Sequence, residues 1–178
     1  MTSDASELPI NIRPYQLSDY AQVAALYTRI NRELAPPNMR ELFEQYISTA
    51  INGELKQLLD IFSAAKRNAF WVVDIDGRIV GTFGIEAQDA GSTELRRMYL
   101  DRAYRGRGIA QRMLAFAEAQ AREYGFAKVV LSTAEVQAAA IVFYRRCGYR
   151  LIRTETAEAM STKTVGGGLT RFHFEKEF

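Results

Sequence analysis

The chain of 178 residues contains one cysteine, one histidine, one tryptophan and four prolines, and neither sign of charge dominates it. A single cysteine, Cys147, excludes an internal disulfide and any zinc site built on several thiolates, and no other metal constellation is visible. No uninterrupted apolar run approaches the ~20 residues a membrane helix needs. With 23 Lys and Arg against 21 Asp and Glu, the net charge of +2 exerts no global pull on nucleic acid or on an anionic membrane. Residues 1–8 are polar and acidic and lack the apolar core of a signal peptide, so they are expected to be disordered in a cytoplasmic protein.

What is present fits one soluble domain spanning residues 1–178. Hydrophobic residues make up 48% and charged residues 25%, ordinary for a globular chain. The basic charge is unevenly placed. Arg96, Arg97, Arg102, Arg105, Arg107 and Arg112 fall within seventeen positions, which points to a local anion partner rather than a long phosphate backbone.

Periodicity divides the chain in two. After a short strand near Ile10–Tyr15, Ser18 is expected to cap a helix with Val23, Leu26, Ile30 and Leu34 on one face, ended by Pro36-Pro37. Asn38 with Glu41 resembles a capping box for a second helix, and Leu55, Leu58, Leu59 and Phe62 continue a helical pattern to about Lys66. The period then shortens. Residues 70–74 and 78–86 read as a hairpin around Asp76-Gly77, and residues 94–100 as a further strand. Helix, strand, helix and strand follow to about Thr154, and residues 169–178 alternate as a last strand. The expected fold is α/β: a mixed sheet with helices on both faces.

The turn Tyr104-Arg105-Gly106-Arg107-Gly108-Ile109-Ala110 lies between a strand and a helix. A helix start leaves about four N–H groups unpaired and carries roughly half a positive charge. Gly106, Gly108 and the small Ala110 let an anion approach the backbone, and Arg105 and Arg107 add charge. No Lys-Ser/Thr pair follows, as a Walker loop would need, and the third glycine of a dinucleotide fingerprint is absent. The alternative is a plain glycine turn with solvated arginines.

Arg105-x-x-Gly108-x-Ala110, preceded by Glu94 to Leu100, resembles the coenzyme-A motif of the GNAT superfamily of N-acetyltransferases, written Gln/Arg-x-x-Gly-x-Gly/Ala. Ala140 to Tyr149 is similar to its second signature, a helix ending in Tyr-x-x-x-Gly-Tyr/Phe. The likeness runs from about Phe70 to Tyr149, with no motif-level counterpart for residues 36–67. The resemblance implies about seven strands, mostly antiparallel, with a splayed parallel pair that admits pantetheine. It implies diphosphate contacts at Arg105, Gly106, Arg107, Gly108, Ile109 and Ala110, and amides of Met98, Tyr99 and Leu100 near the thioester carbonyl. Gln137 stands where many members carry Asn to contact pantetheine.

Acyl transfer to an amine needs a neutral nucleophile, and deprotonating a lysine-like amine at pH 7 costs about 4.6 kcal/mol. Glu94 matches the base position of the family's histone acetyltransferases; its other reading is an edge carboxylate or a partner for Arg96 or Arg97. Tyr144 stands where the family places its acid and would hydrogen-bond the leaving thiolate; its other reading is a core aromatic. Cys147 reads as a buried thiol and His173 as structural or solvent-facing, against lesser roles as nucleophile and substrate contact. The resulting expectation is acetyl-CoA-dependent N-acetyl transfer to a small amine or amino acid by direct attack in a ternary complex. The acceptor pocket would lie between the first two helices, residues 36–67 and the loop 161–168, which is either a mobile lid or ordinary surface disorder. Neither nucleic acid nor membrane is expected as a partner, and the reading admits a homodimer. A protein N-terminus or lysine is the second acceptor, and a non-catalytic acyl-CoA-binding module is the alternative class.

Overall fold

The runs rich in β-branched and aromatic residues form strands. A computed structural model, which describes residues 9–178, contains β1 (Asn11–Pro14), β2 (Ala69–Ile75), β3 (Arg78–Ala87), β4 (Ser92–Leu100), β5 (Lys128–Ala134), β6 (Arg150–Ala157) and β7 (Leu169–Glu177). They build one sheet in the order β1-β2-β3-β4-β5-β7-β6, antiparallel throughout except for β4 with β5. This is the mixed seven-stranded sheet that the sequence resemblance implies. The disorder expected of residues 1–8 lies outside the described residues. Asp76 and Gly77, with φ of 51° and 83°, make the tight β2–β3 turn, as paired left-handed conformations do in two-residue hairpins.

Helices cover both faces. On one side α1 (Tyr20–Leu34), α2 (Arg40–Asn52) and the single turn α3 (Leu58–Ile61) bury Val23, Tyr27, Phe43, Ile47 and Leu58 against the sheet. On the other, α4 (Ile109–Glu123) and α5 (Ala138–Arg146) bury Ile109, Met113, Ala117 and Tyr144 against Phe83, Val129 and Phe174. Three local expectations need correction. Residues 17–19 form a 3₁₀ turn before α1, and the Asp19 carboxylate, not Ser18, accepts the Gln16 N–H at 2.9 Å while pairing with Arg13 at 2.8 Å. Asn38 and Glu41 make no capping box, because Pro37–Met39 turns as 3₁₀ ahead of α2. The helical pattern from Leu55 is broken into the 3₁₀ turn Glu54–Gln57, α3 and a 3₁₀ turn Ala64–Lys66. Burial of Leu55, Leu58 and Phe62 needs their spacing but no continuous helix.

The sheet opens at its parallel pair. β4 and β5 are in register at Ser92–Lys128, Thr93–Val129 and Glu94–Val130, and pair no further. On its other side β4 carries a bulge: Tyr99 faces Thr82 and Arg96 faces Gly84, leaving Arg97 and Met98 opposite Phe83 alone. Arg97 takes φ of 50°, and its carbonyl accepts the Thr82 hydroxyl at 2.9 Å. The bulge bends β4 away from β5 beyond Glu94, which gives the splay a local cause.

Candidate active site

The cleft between the parting strands is walled by Met98 on β4, by Leu131 and Thr133 on β5, and by Tyr144 on α5. It continues across the α1/α2 face of the sheet to Glu94, Arg171 and the loop 161–168, enclosing about 100 Å³. Tyr144 is buried, and its hydroxyl donates to the Met98 sulfur at 3.6 Å. Burial pushes its pKa above the ordinary phenol value, so the hydroxyl keeps its proton. The tyrosine also packs on Tyr149 and Phe174, so it is a core aromatic that also lines the cleft.

Glu94 is neither an edge carboxylate nor a partner of Arg96 or Arg97. It is buried and ion-paired with Lys163, which reaches in from the loop between β6 and β7. Arg96 instead pairs with Glu54 at 3.0 Å and with Glu86, and Arg97 pairs with Glu54 at 2.6 Å beneath the Tyr27 ring. The six arginines grouped by sequence therefore separate into a buried pair at the β4 bulge and the group around the glycine turn.

At that turn, Gly106 and Gly108 have φ of 73° and 75°, and a methyl built on either would meet no atom within 4 Å. α4 begins at Ile109, directly after the glycine turn, so its first amides have no intrahelical acceptor. Arg105 is partly committed: its Nε donates to the Leu100 carbonyl at 3.0 Å, which ties the turn to the end of β4. Arg107 extends past the Tyr104 ring, 5.8 Å from its centroid. Gln137 lies at the β5–α5 junction, where its side-chain oxygen accepts from Thr133 Oγ1 at 2.8 Å and from the Ala134 N–H at 3.3 Å. Tyr99 and Leu100 remain in register with β3, while Met98 sits in the bulge.

Two sequence candidates lie elsewhere. Cys147 is half-buried on the α4/α5 side, and burial raises its pKa. His173 pairs with Glu155 at 2.7 Å, and burial lowers its pKa against that hydrogen bond. The loop 161–168 is packed rather than free: Thr164, Val165 and Gly166 are buried, and Thr162 accepts from Arg97 at 3.5 Å. Sequence reasoning missed Glu54, Lys163, Ser132 and Arg171. Only Lys163 had a local signal, as the one cation in a Thr/Gly-rich segment. No described helix is long and apolar enough to cross a membrane, and no described group of three or more His, Cys, Asp or Glu could hold a metal.

Residues 27–149 match the family model described as the acetyltransferase (GNAT) family. The chain is 28% identical over 165 residues to YjgM of Escherichia coli K12, an uncharacterised N-acetyltransferase, covering 85% of this chain and 88% of that one. It is 30% identical over 149 residues to the N-acetylaspartate synthetase of Rattus norvegicus, covering 74% of this chain but 48% of the relative, about half of its length. Among solved structures, the PaiA N-acetyltransferase of Thermoplasma acidophilum in complex with coenzyme A superposes with a TM-score of 0.75. The two are 18% identical, over 96% of this chain and 99% of that one.

Proposed function

The chain belongs to the acetyltransferase (GNAT) family, whose members move acyl groups from acetyl-CoA, and from that premise we propose that it acetylates a small amine or amino acid by direct attack in a ternary complex. One observation carries the reading: β4 and β5 part beyond Glu94–Val130, and the Tyr144 hydroxyl stands in the gap, 3.6 Å from the Met98 sulfur. A strand pair that opens only where a buried, protonated hydroxyl waits suits a thioester threaded between the strands. The coenzyme A bound to the PaiA relative supports the same donor.

In this reading the amides at the start of α4, with Gly106, Arg107, Gly108, Ile109 and Ala110, hold the diphosphate. Arg105 fixes the turn through Leu100 and adds its charge. The backbone around Met98, Tyr99 and Leu100 receives the thioester carbonyl, and the bulge aims it. Gln137 holds the β5–α5 corner and turns its remaining amide donors toward pantetheine.

Glu94 takes a proton from the incoming ammonium, and the freed amine attacks the acetyl carbon. The new C–N bond forms, the C–S bond breaks, and the thiolate leaves toward Tyr144. A phenol raised by burial is a poorer acid than a thiol near 8.5, so Tyr144 acts by donating a hydrogen bond to the thiolate. Because Lys163 holds Glu94, the acceptor ammonium takes over that ion pair as the loop withdraws. A cavity of about 100 Å³ lies below the ~300–1,000 Å³ usual for a bound ligand, so in this reading the packed loop withdraws as a lid, and a small acceptor demands the least of that movement.

The test is thiol release from acetyl-CoA with a panel of small amines, amino acids and peptide N-termini. Release that depends on a small amine or amino acid supports the reading. Release with peptides alone overturns the acceptor class, and coenzyme binding without any amine-dependent release overturns catalysis in favour of a binding module.

A further inference from the structure

The cavity lining on the α1/α2 face carries four cations, Arg96, Arg97, Lys163 and Arg171, against one carboxylate, Glu94. Glu54 and Glu86, immediately behind it, supply Arg96 and Arg97, and Glu94 supplies Lys163. Arg171 has no such partner. It is only 7% exposed, yet no carboxylate among the described residues lies within ion-pairing distance of it, and its one hydrogen bond goes to the Ser132 hydroxyl on β5. Glu155 stands opposite it across β6 and β7, but that carboxylate is held by His173 at 2.7 Å and Arg153 at 3.0 Å.

A guanidinium has five N–H donors in a planar fork that matches a carboxylate. Burying one with a single hydroxyl partner is unfavourable, and burial accordingly lowers the pKa of Arg171 from the ordinary arginine value. Two residues earlier on the same strand face, Leu169 is buried as an apolar side chain. Arg171 lines the same cavity as Glu94, and the charges of Glu155 and then Glu94 act on it, though it forms an ion pair with neither. The cavity thus offers a carboxylate for an ammonium and, beside it, a buried cation that no described carboxylate contacts.

We propose that Arg171 binds a carboxylate of the acceptor, so that the substrate is an amino-carboxylate, with its nitrogen at Glu94 and its carboxylate in the Arg171–Ser132 corner. The inference rests on the acetyl-transfer reading above for the amine end; the carboxylate site is testable without turnover.

Two measurements separate the claims. In thiol-release assays, the standard amino acids are compared with the amines that lack their carboxyl group, on wild type, Arg171→Met, Arg171→Lys and Ser132→Ala. The expected result is turnover of at least one amino acid, with its carboxyl-free amine much poorer. Arg171→Met should raise KM about 100-fold with kcat changed far less, Arg171→Lys should recover part of the loss, and Ser132→Ala should fall between. In thermal melts with coenzyme A present, N-acetyl amino acids should stabilise wild type and not Arg171→Met. Without ligand, Arg171→Met should melt no lower than wild type, since an unpaired buried charge is removed; a merely structural arginine would make it melt lower. Protection by N-acetyl amino acids that is lost in Arg171→Met, without turnover of any amine, would uphold the carboxylate site while ending the acetyl-transfer reading. Equal use of carboxyl-free amines, unchanged preference in Arg171→Met, or no carboxylate-dependent protection in wild type would overturn the proposal.

Discussion

Glu54 meets the guanidinium of Arg97 at 2.6 Å and that of Arg96 at 3.0 Å, so the segment following α2 braces the underside of the β4 bulge. All three side chains are buried, with 7%, 4% and 8% of their surface exposed. Arg97 also holds a left-handed φ of 50°, which costs a non-glycine residue about 1–2 kcal/mol and persists only where its surroundings fix it. The bulge that splays the sheet is therefore maintained from a region with no motif of its own.

Removing that brace leaves two buried guanidinium groups short of a partner. Glu54→Ala is expected to lower unfolding free energy by about 3–5 kcal/mol, the usual penalty for breaking a buried ion pair from one side. Urea titration measures it. A loss under 1 kcal/mol would mean that the bulge stands without Glu54.

Glu94→Gln keeps the size of the side chain and removes its basicity. We expect kcat/KM to fall about 100-fold near neutral pH, within the range for a lost general base. The deficit should shrink as pH rises toward the pKa of the acceptor amine, because the free base then exists without help. A deficit independent of pH would assign Glu94 to binding alone. The partner change, Lys163→Met, should leave the slope of the pH profile intact while altering KM for the amine.

Tyr144→Phe deletes one hydroxyl whose partner is the Met98 sulfur, a poor acceptor. Stability should change by less than about 1 kcal/mol. The maximal rate should nonetheless fall about 10- to 100-fold, since a charge-assisted hydrogen bond to the leaving thiolate is lost only in the transition state. Unchanged kcat, with chemistry shown to limit the rate, would return Tyr144 to the core.

Much of this architecture is legible in the sequence because the information is local. The hairpin at Asp76-Gly77 and the glycine turn at Arg105 to Ala110 each reside in a few consecutive residues whose backbone demands are particular. The ion pairs are not legible in that way. Glu54 finds Arg97 across 43 positions and Lys163 finds Glu94 across 69, and nothing in a charge pattern states which cation a carboxylate will meet. Arg96 and Arg97 illustrate the consequence. In the sequence they belong with Arg102 and Arg105; in the fold, strand alternation and the bulge turn them to the opposite role. The caps at Ser18 and Asn38 fail for a related reason, since a 3₁₀ turn and the Arg13–Asp19 pair satisfy the chain first.

The glycine turn offers a test of donor binding that is separate from catalysis. At Gly108 the φ of 75° disfavours alanine by about 1–2 kcal/mol, but no neighbour obstructs a methyl there. In the proposed reading, the coenzyme diphosphate occupies the space that methyl would enter. Acetyl-CoA at about 100 times its dissociation constant should stabilise wild type by about 2.7 kcal/mol. For Gly108→Ala at the same concentration, a tenfold weaker affinity would reduce this to about 1.4 kcal/mol. Equal stabilisation of both proteins would remove the turn from the coenzyme site.

His173 gives the fold a pH dependence whose sign can be worked out. Burial lowers its pKa from the ordinary 6.5, with the Glu155 hydrogen bond opposing, so the folded protein binds fewer protons than the unfolded chain just below that pH. Stability must then decline as pH falls through 6.5, and the decline stops once the lowered folded-state pKa is passed. His173→Gln retains a donor for Glu155 and cannot titrate. Glu155 is itself lowered from 4.5 by its hydrogen bonds to His173 and Arg153, so its own contribution is lost only at more acidic pH and does not confuse the window. Melting temperatures between pH 7.5 and about 5 should therefore fall more steeply for wild type than for the variant. Parallel curves would show that the imidazole is solvated equally in both states, and that its place on the sheet face beside Arg171 carries no electrostatic cost.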